Sequence, residues 1–230
     1  QYRYHPRWME VRDQAKYDRL IALASALPEM RARVEADMRR RSLDRTRVLG
    51  SIVWLLENTF VRIGNTAYAR ENRSFGLTTL RSRHLKMEAS ALRLKFTGKS
   101  GRAWDLSLTD RRIVKLVKAC HELPGQHLFQ YREYGEVRPV ASNDGNSYLR
   151  EISGAEFSSK HFRTWAGTVL AATRLAAEEP PASKADGARK INAAIDEVSR
   201  SLGNTRAVCR KCYVHPKVFE RFIDGTLAAR

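Results

Sequence analysis

Ala91-Leu-Arg-Leu-Lys-Phe-Thr-Gly-Lys-Ser-Gly-Arg-Ala-Trp-Asp-Leu-Ser-Leu108 is the stretch on which the fold class turns. Leu92, Leu94 and Phe96 alternate with polar residues, and Trp104, Leu106 and Leu108 do the same after the turn Thr97-Gly-Lys-Ser-Gly101. Period-two alternation on both sides of a glycine-rich turn predicts two antiparallel strands, 91–96 and 103–108, joined as a hairpin. A third short strand is expected at 84–88. Gly98-Lys99-Ser100 is like the end of a phosphate-binding P-loop, but the glycine needed five positions before Gly98 is Arg93, and strand–turn–strand is the wrong context. Lys99 instead sits at a hairpin tip, able to reach into a groove.

Most of the remaining chain carries a helical period. Residues 1–7 alternate aromatic and basic residues, as an arm or strand end, and Pro6 is expected to stop any helix there. From Trp8 onward, Val11, Ala15, Leu20 and Leu23 predict a helix that Pro28 ends, with a second helix starting near Pro28. Arg31, Arg33, Arg39, Arg40, Arg41, Arg45 and Arg47 then crowd one segment, which reads either as a solvated face or as a phosphate-facing one. Asp44 is an N-cap candidate for an all-round apolar helix, Val48 to about Val61, central to the core and punctuated by Gly64. Arg62 emerges from its end.

Further along, Thr109 is expected to cap a helix with Ile113, Leu116, Val117 and Cys120 on one stripe. Residues 123–146 read mostly as loop. Ser158 or Ser159 starts a helix through Lys160-His-Phe-Arg163 to about Ala177, and 178–187 reads as a flexible connection. A helix with Ile191, Ile195, Val198 and Leu202 ends at Gly203, and a last one runs from about Pro216 to Ile223. The expectation is an α+β protein, predominantly α-helical, with one small three-stranded antiparallel sheet.

Composition narrows the partner. The 230 residues carry 42 Lys+Arg against 25 Asp+Glu, a net charge of +17. Such a surface suits a polyanion, most commonly nucleic acid. No run of about 18 apolar residues exists, so no membrane-spanning helix is expected, and no secretory pattern opens the chain. Three cysteines, an odd number, argue against a disulfide framework and for a reducing cytoplasm, here a nucleoid-associated location. Because the chain begins at Gln1 in mid-pattern, a preceding N-terminal piece is expected.

The chemistry is expected in Asn204-Thr-Arg-Ala-Val-Cys-Arg-Lys-Cys-Tyr213-Val-His215. A phenol with a pKa of about 10 is a poor nucleophile near neutrality. Fixed cations around it and around a target phosphate favour the phenolate and stabilise the charge of a developing phosphorane. The candidates, in chain order, are Arg62, Lys99, Arg163, Asn204 and Tyr213, and Asn204 also reads simply as a terminator after Gly203. Cys209-x-x-Cys212-x-x-His215 has ligand-like spacing, but no second cysteine pair accompanies it and the segment reads as helix, so no metal is assigned. Paired carboxylates for a two-metal nuclease and Walker motifs for ATP are both missing from the sequence. No cofactor is expected.

Several stretches, in order, carry a resemblance: Gln1-Tyr-Arg-Tyr4, Arg12-Asp13, Phe60-Val-Arg-Ile-Gly-Asn-Thr-Ala-Tyr68, Gly76-Leu-Thr-Thr-Leu80, Lys95-Phe-Thr-Gly-Lys99, Phe162-Arg-Thr-Trp165 and Gly203 to Tyr213. Together they resemble the small type IB DNA topoisomerases of bacteria and poxviruses, across essentially the whole chain. The resemblance implies that Tyr213 attacks a phosphodiester of duplex DNA and forms a 3′-phosphotyrosyl link, leaving a 5′-hydroxyl end that swivels before religation. Arg62 and Arg163 then hold the non-bridging oxygens, and Lys99 protonates the leaving 5′-oxygen. Asn204 stands where poxvirus enzymes have histidine; an amide donates a hydrogen bond but carries no proton.

The resemblance also makes Gln1, Tyr2, Tyr4, Arg12 and Tyr68 DNA-contact candidates, with Lys160, Arg210 and Lys211 beside them. Asn65 replaces a base-contacting lysine. Residues 1–14 would be the end of a removed clamp domain and its linker, and 15–230 a catalytic domain acting as a monomer without ATP or metal. Repulsion among cationic loops predicts that the Tyr213 segment is mobile or displaced without DNA. Two other readings stay open. A tyrosine recombinase uses the same nucleophile, although it commonly has His-x-x-Arg where this chain has Lys160 before Arg163. A non-catalytic basic DNA- or RNA-binding module would make Tyr213 a core or stacking residue.

Overall fold

A computed structural model describes residues 6–227, with side chains from Tyr17 onward. The chain divides into two compact units, residues 28–159 and residues 160 onward together with the segment up to Leu27. Both hold mainly helices, and the antiparallel sheets lie in the first, so the predominantly helical α+β expectation holds.

The long helix α1, Pro6–Met38, passes from one unit to the other between Leu27 and Pro28. Two expectations fail here. Pro6 opens α1 instead of preventing it, since proline suits a first helical position where its missing N–H has no partner to lose. Pro28 lies inside the helix without ending it. An interior proline costs about 3 kcal/mol. Against that cost, Leu20, Leu23, Leu27, Met30, Val34 and Met38 are all buried at spacings of three and four residues. Each contributes about 1.5–3 kcal/mol when buried, enough to carry the helix through.

In the 28–159 unit, α2 (Arg45–Thr59) is the central element. Asp44 caps it as expected, its carboxylate accepting from the Arg47 N–H, and Val48, Leu49, Ile52, Val53, Leu55 and Leu56 are buried. It ends earlier than its apolar run: Phe60 takes a left-handed conformation (φ 57°). The next residues form a loop and then a helix absent from the sequence reading, α3 (Thr66–Asn72), capped by Asn65. The predicted sheet is present as β1 (Leu85–Met87), β2 (Leu92–Thr97) and β3 (Ala103–Leu108), in that order and antiparallel. Leu94 pairs with Leu106, Phe96 with Trp104, and Leu92, Leu94 and Phe96 face the core.

Helix α4, Arg111–His121, buries Ile113, Leu116, Val117 and Cys120 as read, but its cap is Asp110, which accepts from Arg112 and Ile113, and not Thr109. The segment taken for loop holds a second hairpin, β4 (Gln130–Glu133) and β5 (Glu136–Pro139), and the start of α5 (Ser142–Ser153). From α5 the Tyr148 hydroxyl reaches Asp37 of α1 at 2.8 Å, a buried bond between residues far apart in sequence. Burial and that bond push the phenol's pKa up. The arginine-rich segment is largely neutralised within the unit: Arg31 pairs with Glu57, Arg33 with Asp37, Arg40 with Asp44 and Arg45 with Asp144.

The other unit contains α6 (Ser159–Ala176) from Lys160 on, α7 (Lys184–Leu202), α8 (Arg206–Cys212) and α9 (Pro216–Ile223). Ser183 caps α7 by accepting from Asp186, so the flexible connection is shorter than expected and 184–187 belongs to the helix. Gly203 (φ 60°) closes α7 in the left-handed conformation, as its glycine predicts. Ile191, Ala194, Ile195, Val198 and Leu202 bury one face of α7, against α8 and α9. No described helix is long and apolar enough to cross a membrane.

Candidate active site

Arg163, Asn204 and Tyr213 lie together in one unit. Arg163 projects from α6 and is only 4% exposed. Its Nη2 donates to the Leu202 carbonyl (2.6 Å), at the end of α7, and to Asn204 Oδ1 (2.7 Å). Both acceptors are neutral, so these bonds orient the guanidinium fork without neutralising it. They also fix the Asn204 amide: a guanidinium only donates, so the oxygen must face Arg163 and the donor capacity lies on Nδ2. Asn204 is thus more than a residue that follows a helix-ending glycine.

The Arg163 guanidinium carbon lies 5.2 Å from the centre of the Tyr213 ring. Tyr213 is half-buried at the C-terminal cap of α8, its N–H donating to the Cys209 carbonyl (3.0 Å). The Tyr213 segment is packed within its own unit. Cys209 and Val214, on either side of Tyr213, are fully buried, and hydrogen bonds to the main chain tie the segment down. Apolar burial and main-chain bonds outweigh the mutual repulsion of exposed cations.

Arg62 and Lys99 belong to the other unit. Arg62 sits in the loop between α2 and α3, whose main chain is gripped by the turn Gly76-Leu-Thr-Thr79. Leu77 N–H donates to the Arg62 carbonyl (2.9 Å), and Thr78 gives both its N–H (2.7 Å) and its hydroxyl (2.9 Å) to the Ile63 carbonyl. A β-carbon on Gly76 would lie 2.5 Å from the Arg62 carbonyl oxygen, so only glycine fits. The residues just before that turn hold the Lys99 hairpin: Phe75 N–H donates to the Thr97 carbonyl (2.8 Å) and the Ser74 hydroxyl to the Gly98 carbonyl (3.3 Å). Segment 74–79 therefore ties the loop carrying Arg62 to the hairpin carrying Lys99. Lys99 is exposed at the tip, as the strand pattern predicts, in a tight turn with Ser100 at φ 61°.

The DNA-contact candidates fare differently. Gln1, Tyr2 and Tyr4 lie outside the described residues, and Arg12 falls where α1 is described without side chains. Asn65 is exposed, and its side chain accepts from the Tyr68 N–H (3.2 Å) as the cap of α3. Tyr68 is 58% exposed on that short helix. Lys160 and Lys211 are exposed, and Arg210 lies over the Phe219 ring at 5.2 Å. Among the described residues no three His, Cys, Asp or Glu are grouped to hold a metal ion. In the Cys209-x-x-Cys212-x-x-His215 stretch, Cys209 is buried and His215 Nδ1 accepts from Lys217 as the cap of α9.

Sequence reasoning missed the residues that hold the candidate ones. Gly167, in mid-α6, leaves room for Tyr213: a β-carbon there would lie 2.6 Å from the Tyr213 carbonyl oxygen. Its only signal was a lone glycine inside a helical pattern, a mark of close approach. Thr168 and Tyr17, which bond the same segment, carry no such signal.

The family described as eukaryotic DNA topoisomerase I, catalytic core, matches residues 5–229. DNA topoisomerase 1B of Acanthamoeba polyphaga mimivirus is 28% identical over 222 residues, covering 93% of this chain and 66% of that protein. DNA topoisomerase 1 of Mycosarcoma maydis is 24% identical over 176 residues, covering 68% of this chain and 17% of that protein. The chain thus spans just under two thirds of the first relative and a small part of the second.

Proposed function

We propose that this chain, which belongs to the type IB DNA topoisomerase family, relaxes supercoiled duplex DNA by cutting and resealing one strand. The Tyr213 phenol gives up its proton to solvent and its oxygen attacks the phosphorus of a phosphodiester. The new Tyr–O–P bond forms as the bond to the 5′-oxygen breaks, and Lys99 delivers the proton that makes this oxygen a 5′-hydroxyl. Rotation follows, and the hydroxyl then attacks the phosphotyrosine to restore the DNA. The bond energy stays in the phosphotyrosine throughout, so no ATP is consumed.

The observation that carries this reading is the buried Arg163. Held by Leu202 and Asn204 with its guanidinium against the Tyr213 ring, it is a rigid, always-charged fork beside the proposed nucleophile. Arg62, whose loop is fixed through its main chain, supplies a second fork for the non-bridging oxygens. Asn204 adds a donor to a phosphate oxygen rather than a proton carrier. The net charge of +17 suits the DNA backbone. We assign the DNA-contact roles of Gln1, Tyr2, Tyr4, Arg12, Asn65, Tyr68, Lys160, Arg210 and Lys211 on the same reading, with a monomer acting in the cytoplasm.

Relaxation of supercoiled plasmid in EDTA without ATP, for the parent beside Tyr213→Phe, tests this. Relaxation by the parent alone is the expected result. If the parent relaxes nothing and no covalent DNA complex is trapped by denaturant, a non-catalytic binding module is left. A covalent complex without relaxation would point to the recombinase reading.

A further inference from the structure

Tyr213 is the attacking residue in the function proposed above, and side chains of two other helices bond the main chain around it. We propose that Thr168 is a positioning residue for Tyr213, clamping the main chain on both sides of Val214 through one hydroxyl. The inference rests on the topoisomerase reading and deepens it.

Thr168 Oγ1 donates to the Tyr213 carbonyl (3.3 Å) and accepts from the His215 N–H (3.1 Å). A hydroxyl has one proton and two lone pairs, so a single atom serves both neighbours; no apolar side chain can serve either. The adjacent Gly167 lets the helix come this close, because a β-carbon there would lie 2.6 Å from the Tyr213 carbonyl oxygen and 3.0 Å from Tyr213 Cβ. On the other side of the segment the Tyr17 hydroxyl donates to the Val214 carbonyl (3.0 Å), with a longer contact to the Lys211 carbonyl (3.4 Å). The Tyr17 and His215 rings meet at 4.6 Å between centres.

The carbonyls of residues 213 and 214 and the amide of 215 are thereby gripped by α6 and α1. The main chain that carries the half-buried Tyr213 ring is thus fixed. A phenol that must attack in line depends on where its main chain is held, and a displacement of about 1 Å costs on the order of 100-fold in rate. Thr168 acts through the main chain of Tyr213 and His215.

Thr168→Val keeps the shape and removes both bonds, while Thr168→Ser keeps both. Covalent-complex formation would be measured in a single turnover at saturating supercoiled plasmid, alongside equilibrium affinity for a duplex. Hydrogen exchange at the His215 amide would be followed without DNA. The expected result is a rate lowered by about 10- to 100-fold in Thr168→Val, with unchanged DNA affinity, faster His215 exchange, and near-parental behaviour in Thr168→Ser. A parental rate in Thr168→Val overturns the inference. So does a Thr168→Ser variant as slow as Thr168→Val, since that would place the effect in methyl packing. If the parent itself traps no DNA, the topoisomerase reading fails and takes the positioning role with it; an active parent with an active valine variant sinks the positioning role alone.

Discussion

Gly76→Ala offers a test of whether Arg62 is held through its main chain. Gly76 has φ −145° and ψ 179°, a backbone that any residue adopts, so the glycine is there for space and not for conformational freedom. An added β-carbon would lie 2.5 Å from the Arg62 carbonyl oxygen, 2.5 Å from Gly64 N and 2.6 Å from Gly64 Cα, all main-chain atoms that cannot swing away. Ordinary contact begins near 3.4 Å, so the two segments must part by about 0.9 Å, enough to stretch the 2.9 Å and 2.7 Å bonds from Leu77 and Thr78 past hydrogen-bonding range. Overpacking costs about 1–3 kcal/mol and each weakened bond up to about 1 kcal/mol. Loss of glycine's freedom in the unfolded chain returns about 0.4–1 kcal/mol. The sum is a destabilisation of about 2–4 kcal/mol, readable by urea denaturation. Single-turnover covalent-complex formation, measured well below the melting temperature, should fall by about 10- to 100-fold, because the Arg62 main chain has moved by nearly an ångström. Gly154→Ala is the comparison: a left-handed position (φ 62°) with nothing within 4 Å of the added carbon, expected to cost only about 1 kcal/mol. If Gly76→Ala unfolds and reacts like the parent, the loop is not held in the way described.

Two further outcomes follow from groups whose environment is explicit. Burial, with Arg83 and Arg81 nearby, pushes the His84 pKa down from 6.5 to about 4, while its Nδ1 accepts from the Arg81 N–H (3.0 Å). A histidine kept neutral when folded contributes stability above about pH 6.5 and loses it progressively as pH falls toward 4. After discounting for partial exposure, the loss between pH 7 and pH 5 is about 1 kcal/mol. Parent and His84→Gln should differ in that pH dependence by about this amount, and parallel denaturation profiles would contradict it. At Asn204, stability and activity should separate. Asn204→Ala removes an acceptor from the buried Arg163 and is expected to cost about 1–3 kcal/mol. Asn204→Asp keeps that acceptor but sets an anion against the guanidinium, so it should melt closer to the parent yet trap covalent complex more slowly than Asn204→Ala. An aspartate variant as active as the parent would show that the Arg163 charge is not what the reaction uses.

How much could be read beforehand depended on where the signal lies. The first hairpin was legible because Leu92, Leu94 and Phe96 bury one face and alternate with polar residues. The β4–β5 hairpin was not: Gln130 and Tyr131, adjacent residues, are both buried, which breaks the period of two. Helix α5 opens with Ser142-Asn-Asp-Gly-Asn146, a run that reads as turn. There Asp144 accepts from the Ala141 N–H (2.8 Å), so turn formers make a helix start. Pro28 misled because its local penalty is visible in sequence and the buried stripe that offsets it becomes decisive only when summed over the helix.

The site shows the same division. Arg62, Lys99, Arg163, Asn204 and Tyr213 could be proposed because their motifs resemble those of a known family and because phosphate chemistry suits those side chains. The residues that place them work through the main chain of their partners: Leu77 and Thr78 on Arg62 and Ile63, Thr168 and Tyr17 on Tyr213 and Val214. Any residue supplies a carbonyl or an amide, so such contacts leave no residue-type pattern to read. The same fact accounts for the seated tyrosine. Two exposed cations about 8 Å apart repel by about 0.5 kcal/mol in water, less once salt screens them. Burying Val214 alone contributes about 1.5 kcal/mol or more, and the clamp's hydrogen bonds add about 1 kcal/mol each. Within its unit, the packing of the Tyr213 segment is decided by apolar burial and main-chain bonds that net charge does not see.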